Sequence, residues 1–390
     1  MITKLQISNF KSHRDTEITL NELTILTGIN SSGKSSVIQT LLLLRQSYQK
    51  NRIHDGLDLN KPLVSVGIAE AALYKYSNEP TIKIRMEYQG IREGFDEFVF
   101  EIPESNNSLT NTFVPLKNYS NEEDNKFEKL SSMPLFNKRF QYLSAQRIGG
   151  VSEMPKDTYA VSTLRQVSAE NGKGELVGNF LFEYGKEDSP FNYIDEKETI
   201  ALIDQVTYWE RMISPNVTIN VEQSENAEKF VIKYGYDSVD DALRPMMNLR
   251  AENIGFGVSY SLPVIVALLS AQKDDLIIIE NPEAHLHPEG QLQLGFLICK
   301  AAQHGVQVLV ETHSDHIINA VRESCKRYAN ENGNGIDCNN VTIHFFEKDT
   351  SYATTTKSVS VDNDGVLDYQ PKGFFDTIEE SEYYITHSTF

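Results

Sequence analysis

Residues 23–36 read LTILTGINSSGKSS: an apolar run from Leu23 to Thr27, then GINSSGKSS at Gly28–Ser36. The second part matches G-x-x-x-x-G-K-[ST], the phosphate-binding loop, in the strand-then-helix context that this motif needs. Gly28 and Gly33 let the backbone turn tightly and aim its N–H groups at phosphate oxygens. Asn30, Ser31, Ser32 and Ser36 complete the loop that would surround them. Lys34 brings a point positive charge to the β- and γ-phosphates, and the Ser35 hydroxyl is a ligand for Mg²⁺. A helix over about Ser35–Tyr48 would offer its positive end to the same anion. The expected ligand is therefore a nucleoside triphosphate with Mg²⁺.

A second half of such a site is expected far along the chain. LIIIENPEAHLHP at Leu276–Pro288 is an apolar strand ending in a carboxylate, as a Walker B element requires, and Glu280 at its tip is the expected Mg²⁺ ligand. VLVETHSDHI at Val308–Ile317 ends the next strand in Thr-His-Ser, where His313 reads either as a capping or core histidine or as a group that reaches a γ-phosphate or the attacking water. NIGFGVSYSLP at Asn253–Pro263 is glycine-rich and precedes a helix. It reads either as a simple helix-start turn or as a second set of phosphate-facing N–H groups. His285 and His287 sit two apart, not the three or four that align ligands on one helix face, so they read as structural.

The formal net charge of −19 over 390 residues argues against a surface that coats nucleic acid. A nucleic-acid partner would need a local basic patch, a basic partner or a groove formed on assembly. Cys299, Cys325 and Cys338 have no C-x-x-C spacing, which points to a reducing compartment and no zinc framework. No apolar run reaches the length of a membrane span, and MITKLQISNF lacks the apolar core of a signal peptide. The expectation is a cytoplasmic protein without membrane contact.

Strand alternation is read at Met1–Phe10, Glu17–Leu20, LVSVG (Leu63–Gly67), TIKIRMEY and EFVFEI. LLLL at Leu41–Leu44 reads as part of an amphipathic helix. Glu104–Lys126, rich in Asn, Ser and Glu, reads as a mobile loop. A helix is expected at Glu198–Met212, and VTINVEQ and KFVIKYGY as paired strands. Helices follow near Val258–Ala271 and Pro288–His304, with strands at Leu276–Ile279, Val306–Glu311, Val341–Phe346 and Lys357–Val361. The strands from Leu276 and Val306 are almost wholly apolar, the pattern of a parallel sheet buried on both faces. If the Leu23–Thr27 strand joins them, the nucleotide fold is split. Residues 1–65 hold its first part, 66–250 are an α+β insertion, 251–350 hold the second part, and 351–390 form a tail.

Together these elements resemble the ABC-type ATPase heads of the SMC, RecF and OLD-like group, with a mixed sheet. The likeness is closer to bacterial stand-alone AAA-labelled ATPases that carry an IENPEAHLHP Walker B and a THSDHI switch. Many of those end in a domain of unknown function with a GFFD motif, found here at Gly373–Asp376. YLSAQRIGG at Tyr142–Gly150 is similar to their YLSAxRxGP. The resemblance implies a homodimer, or a higher homo-oligomer, closed head to tail around ATP. Gly28–Ser36 of one subunit would hold the triphosphate, and Asn253, Gly255, Gly257 and Ser259 of the other would cap the γ-phosphate. It also implies a separate effector protein, a nuclease or toxin, in an anti-phage defence module. NFKSHR at Asn9–Arg14 lies where related heads meet the nucleotide.

One departure matters. The residue after the Walker B acid is often a catalytic Glu in ABC heads, and here it is Asn281. Asn cannot accept a proton as a base at neutral pH. Either Glu283 takes that role, His313 positions the water, or hydrolysis is slow and the protein works as an ATP-gated switch. Arg147 is the strongest cation outside the loop; it would touch phosphate, support a nearby loop or form a structural ion pair. The alternative function is a RecF- or SMC-like DNA-binding repair ATPase, against which the acidic charge weighs. A self-contained nuclease would need clustered carboxylates, whereas Asp362 and Asp364 read as a turn before Gly365.

Overall fold

A computed structural model describes residues 1–90, 93–103, 111–121, 127–194, 200–224, 228–236 and 249–370. The GFFD motif lies outside the described residues. The central sheet has six strands in the order β16-β15-β3-β14-β13-β8. These are β3 (Leu23–Gly28), β8 (Phe140–Leu143), β13 (Leu276–Glu280), β14 (Gln307–Glu311), β15 (Val341–Lys348) and β16 (Thr354–Val359). All neighbours are parallel except β16, which runs antiparallel to β15. The fold is α/β with a mixed sheet, as the resemblance implied, and its parallel core is the one the apolar strands predict.

The reason is burial on both faces. Along β13, Ile277 and Ile279 enter one apolar core and Ile278 the other. Val308 and Val310 against Leu309, and Ile25 against Leu26, divide in the same way. One core is closed by α5 (Phe256–Ser270), α6 (Pro288–Gln303) and α7 (Asp315–Asn330). The other is closed by α1 (Lys34–Gln49) and an antiparallel sheet ordered β2-β1-β5-β6-β7-β4. That sheet comprises β1 (Ile2–Phe10), β2 (His13–Thr19), β4 (Gly56–Asp58), β5 (Thr81–Tyr88), β6 (Gly94–Glu101) and β7 (Phe113–Asn121). A third, small sheet joins β9 (Glu153–Pro155), β10 (Val217–Gln223), β11 (Lys229–Tyr236) and β12 (Leu249–Arg250). The short α2 (Ala69–Ala72), α3 (Val177–Tyr184) and α4 (Leu202–Ile213) complete the helices. Residues between 66 and 250 thus supply strands to all three sheets.

Four local expectations are corrected. First, α1 is not amphipathic: Val37, Ile38 and Leu41–Leu44 are buried, as are Thr40, Arg45, Gln46 and Ser47. A helix between two sheets keeps little solvent face, and only Ser35 and Gln49 near its ends are exposed. Arg45 survives there because it donates to the carbonyls of Leu135 (2.6 Å) and Asn137 (3.0 Å) and stacks on Phe140. Second, Leu63–Gly67 is not a strand. The N–H groups of Leu63 and Val64 go to the Gln46 side chain at 3.2 and 3.1 Å, leaving no ladder to join. Third, part of the expected loop is β7, which pairs with β6 and β4. Its apolar content, Val114 and Tyr119, is buried despite polar neighbours. Fourth, α7 lay unread behind the THSDHI motif. Ser314 caps it, accepting from the N–H groups of His316 and Ile317, and Ile317, Ile318, Val321 and Cys325 form its buried face.

The close approach of β3 to β15 places a strict demand on Gly28. Its φ is 128°, and a Cβ there would collide with the Phe346 carbonyl oxygen and lie 2.7 Å from its nitrogen. Gly28→Ala is therefore expected to cost on the order of 3 kcal/mol or to block folding. A denaturant midpoint equal to wild type would show that the two strands can separate freely.

Candidate nucleotide site

The P-loop is held in a strained, open shape from three sides. Ser31 and Gly33 take positive φ values of 61° and 112°. Gly33 is also the N-cap of α1 and, having no side chain, provides no cap for the first-turn N–H groups. From behind, the turn between β1 and β2 braces the loop. The buried His13 ring bonds Thr16 Oγ1 through Nδ1 at 3.0 Å and the Gly33 carbonyl through Nε2 at 3.1 Å. Thr354, at the start of β16, donates to the Ser32 carbonyl at 2.7 Å and bonds Ser12 at 2.8 Å. Lys11 reaches Gln39 of α1 at 2.6 Å. NFKSHR thus meets the loop that would carry phosphate. A Cβ at Gly33 would strike Thr354, with Ser12 and His13 close behind.

Inside the loop, Lys34 is 3% exposed and donates to the carbonyls of Gly28 (2.9 Å) and Ile29 (2.8 Å). Burial lowers its pKa, opposed by the charge of Glu311. Ser35 donates its hydroxyl proton to Glu311 Oε1 at 2.8 Å. Glu311 ends β14 and is the register partner of Glu280 at the end of β13. It was not among the expected site residues. Its signal was the one that singled out Glu280, an apolar strand ending in a carboxylate. Burial and the neighbouring Glu280 raise the Glu311 pKa to about 7, opposed by Ser35 and Lys34.

Glu280 faces the same end of the sheet. Its oxygens accept from the Tyr142 hydroxyl and the Ala145 N–H, both at 3.3 Å, while burial raises its pKa. Asn281 adopts φ 44°, a left-handed conformation that Asn tolerates better than most residues. Its amide donates to Glu283 Oε1 at 3.3 Å. The same oxygen accepts the His313 N–H at 3.0 Å. Glu283 Oε2 is buried without a hydrogen-bond partner among the described residues. The His313 ring is exposed, and burial and the Lys34 ammonium lower its pKa against the opposing pull of Glu283. The structure brings together Gly28–Ser36, Glu280, Asn281, Glu283 and His313.

Arg147 touches none of the phosphate-facing positions. Its guanidinium donates to four backbone carbonyls: Ser144 (2.8 Å), Glu280 (2.7 Å), Asn281 (2.8 Å) and Tyr260 (3.2 Å). It stacks on the Tyr260 ring and is buried, which lowers its pKa to about 10. It supports the loop after Glu280. The segment Asn253–Ser259 runs into α5, whose Tyr260 carbonyl is one of those four acceptors. Ser259 accepts the Gly150 N–H at 2.8 Å, and a Cβ at Gly257 would come within 2.7 Å of the His285 carbonyl oxygen. Phe256 and Tyr260 pack edge-on against the His285 ring, and His287 caps α6. Gly255 faces open space. Asn253, Gly255, Gly257 and Ser259 have no hydrogen bond to Gly28–Ser36 among the described residues. Asp362 accepts from the N–H groups of Asp364 and Val366 at 2.9 and 2.8 Å, closing a turn.

A family model described as "AAA ATPase domain" matches residues 1–173 and 192–318. The chain belongs to this AAA ATPase family. A second model, described as a protein of unknown function (DUF3696), matches residues 336–381. No curated protein matches. Among solved structures, the chain is similar to an SMC head bound to the C-terminal winged-helix domain of ScpA. Identity is 12%, the match covers 92% of this chain and 98% of that one, and the TM-score is 0.54. It is likewise similar to an SMC head with an extended coiled coil bound to the C-terminal domain of ScpA, derived from Pyrococcus furiosus. There identity is 12%, coverage 92% and 96%, and the TM-score 0.53. The ABC-type head fold is thus shared with SMC proteins.

The residues fit a magnesium nucleotide. Ser35, Glu280 and Glu311 are hard oxygen donors, and the buried, unpartnered Glu283 Oε2 lies nearby. Among the described residues no group of three or more His, Cys, Asp or Glu side chains is placed to hold a metal alone. Phosphate oxygens would have to supply the remaining positions, as is usual for Mg²⁺.

The brace at His13 has a measurable pH signature. Burial lowers its pKa to about 4, although the bond to Gly33 opposes this. The unfolded ring titrates near its ordinary value of about 6.5. Between these values only the unfolded chain takes up the proton, so stability is lost as pH falls through this window. The group contributes up to about 3 kcal/mol. The stability advantage of wild type over His13→Gln is expected to shrink by about that amount between pH 7.5 and 4.5. A constant difference in denaturant midpoint would show that His13 is protonated in the folded protein.

Proposed function

We propose that this protein is an ATP-binding and ATP-hydrolysing switch that dimerises around nucleotide, turns over slowly and controls a partner effector. The observation that carries this reading is the separation of two half-sites in one chain. The P-loop, Glu280, Glu283 and His313 gather at one end of the central sheet. The glycine-rich segment Asn253–Ser259 is tied instead to Gly150 and His285, with Gly255 facing outward. A second copy would bring Asn253, Gly255, Gly257 and Ser259 to the γ-phosphate. Asn281 occupies the position where a carboxylate base is expected, and Glu283 is the nearest replacement. Its Oε1 is held by Asn281 and His313 while Oε2 stays unbonded. Those constraints leave one oxygen for a water and favour slow turnover.

The similar SMC heads were solved bound to ScpA domains, which supports a partner protein for this chain as well. The resemblance to defence-associated ATPases makes that partner a nuclease or toxin in an anti-phage system. The test is mass in solution with and without ATP and Mg²⁺, with phosphate release measured in parallel. Wild type is expected to dimerise on ATP, and Lys34→Ala to remain at its starting mass. Glu283→Gln should persist as an ATP-bound dimer while turnover falls about 10²- to 10⁴-fold. An unchanged mass for wild type and Glu283→Gln under all nucleotide conditions would refute the switch. Undiminished turnover in Glu283→Gln would move the base role to His313.

A further inference from the structure

The P-loop serine is engaged by a carboxylate other than the Walker B acid. Ser35 Oγ donates to Glu311 Oε1 at 2.8 Å, whereas the Glu280 oxygens bond Tyr142 and Ala145 at 3.3 Å. We propose that Glu311, at the tip of β14, is the positioning carboxylate that presents Ser35 to magnesium and adds its own charge against the cation. The inference rests on the nucleotide-site reading above and deepens it.

The argument begins with the chemistry of a hydroxyl. Serine has one proton to donate and two lone pairs to offer. Once the proton is committed to Glu311, both lone pairs are free for a cation, and rotation about the Cβ–Oγ bond is fixed. A Ser35 hydroxyl pointing elsewhere would meet the cation with its proton. Placement on the sheet supplies the second part. Glu280 and Glu311 are register partners on adjacent parallel strands, so their side chains leave the same face at the same level. Glu311 is 5% exposed. Lys34, bonded to the Gly28 and Ile29 carbonyls, gives this pair one positive charge. Two acids side by side, Glu311 buried and Glu280 partly exposed, carry more negative charge than that ammonium balances. A divalent cation bound to Ser35 and phosphate is placed to balance the rest. Tyr142 and the Ala145 N–H hold Glu280 from the β8 side, so the two acids divide the work. Glu311 fixes the P-loop hydroxyl, and Glu280 closes the opposite side.

The test separates metal handling from catalysis. ATP affinity of the full chain is measured by calorimetry in EDTA and in saturating Mg²⁺, for wild type, Glu311→Gln, Glu311→Ala and Glu280→Gln. Glu311→Ala removes both acceptor and charge. The near-isosteric Glu311→Gln keeps an acceptor for Ser35 and removes the charge, so it guards against loss of fold. Wild type should bind ATP more tightly with Mg²⁺. Glu311→Ala should lose about 10- to 100-fold of that enhancement and Glu311→Gln a smaller part, both with metal-free affinity unchanged or tighter. An enhancement within twofold of wild type in both Glu311 variants, with Glu280→Gln alone abolishing it, would overturn the proposal. Reduced turnover in Glu311→Gln with the magnesium enhancement intact would likewise overturn it, making Glu311 a proton-transfer group. A wild type that binds no ATP in either condition would refute the nucleotide-site reading itself.

Discussion

The backbone contact between Gly28 and Phe346 is the constraint from which the site is built. It requires β3 to lie against β15 with no side chain between them at the mouth of the P-loop. That closeness is tolerable only at a glycine with positive φ. Once β3 is seated there, β14 pairs on its other side and β13 beyond it. Their C-terminal ends then deliver Glu311 and Glu280 to the level of the loop. The loop itself leans on elements from opposite ends of the chain, His13 near the start and Thr354 near the end. The left-handed bend at Ser31 is sterically disfavoured, and these backbone-directed bonds at Ser32 and Gly33 help to hold the loop around it.

Electrostatically, the site is a cluster of acids fitted around one lysine. Burial works against ionisation of Glu280 and Glu311, while bonds from Ser35, Tyr142 and Ala145 favour it. Arg147 stands next to this cluster, where its donors stiffen the Glu280–Asn281 turn and its charge favours ionisation of Glu280. The turn it stiffens also carries Glu283 and adjoins His285, against which the glycine-rich segment packs. The glycine-rich segment is therefore joined through His285 to the turn that follows Glu280.

Much of this was legible in the residues. The apolar runs at Leu23, Leu276 and Val306 announced strands buried on both faces, because only a parallel sheet between two layers removes every side chain from water. The P-loop spacing announced the phosphate site. What escaped reading did so for identifiable reasons. α1 carries polar residues that look solvent-facing, but Arg45 and Gln46 are satisfied by backbone groups that only the fold brings near. Val114 and Tyr119 of β7 were masked by Asn and Ser neighbours, since pairing with β6 and β4 rather than composition makes them a strand. Glu311 bore the same local signal as Glu280 but was overshadowed by the histidine two residues later.

The sequence by itself determined that a P-loop motif follows a buried strand, that an acid ends a second such strand, and that Asn281 follows that acid. These are properties of residue type and spacing, which the chain carries before it folds. Tertiary structure alone decided which acid meets Ser35, where Arg147 spends its charge, and what props the loop from behind. Those outcomes depend on strand order and register. Inserting β14 between β3 and β13 puts Glu311, not Glu280, beside the P-loop serine, and no local pattern encodes that neighbour.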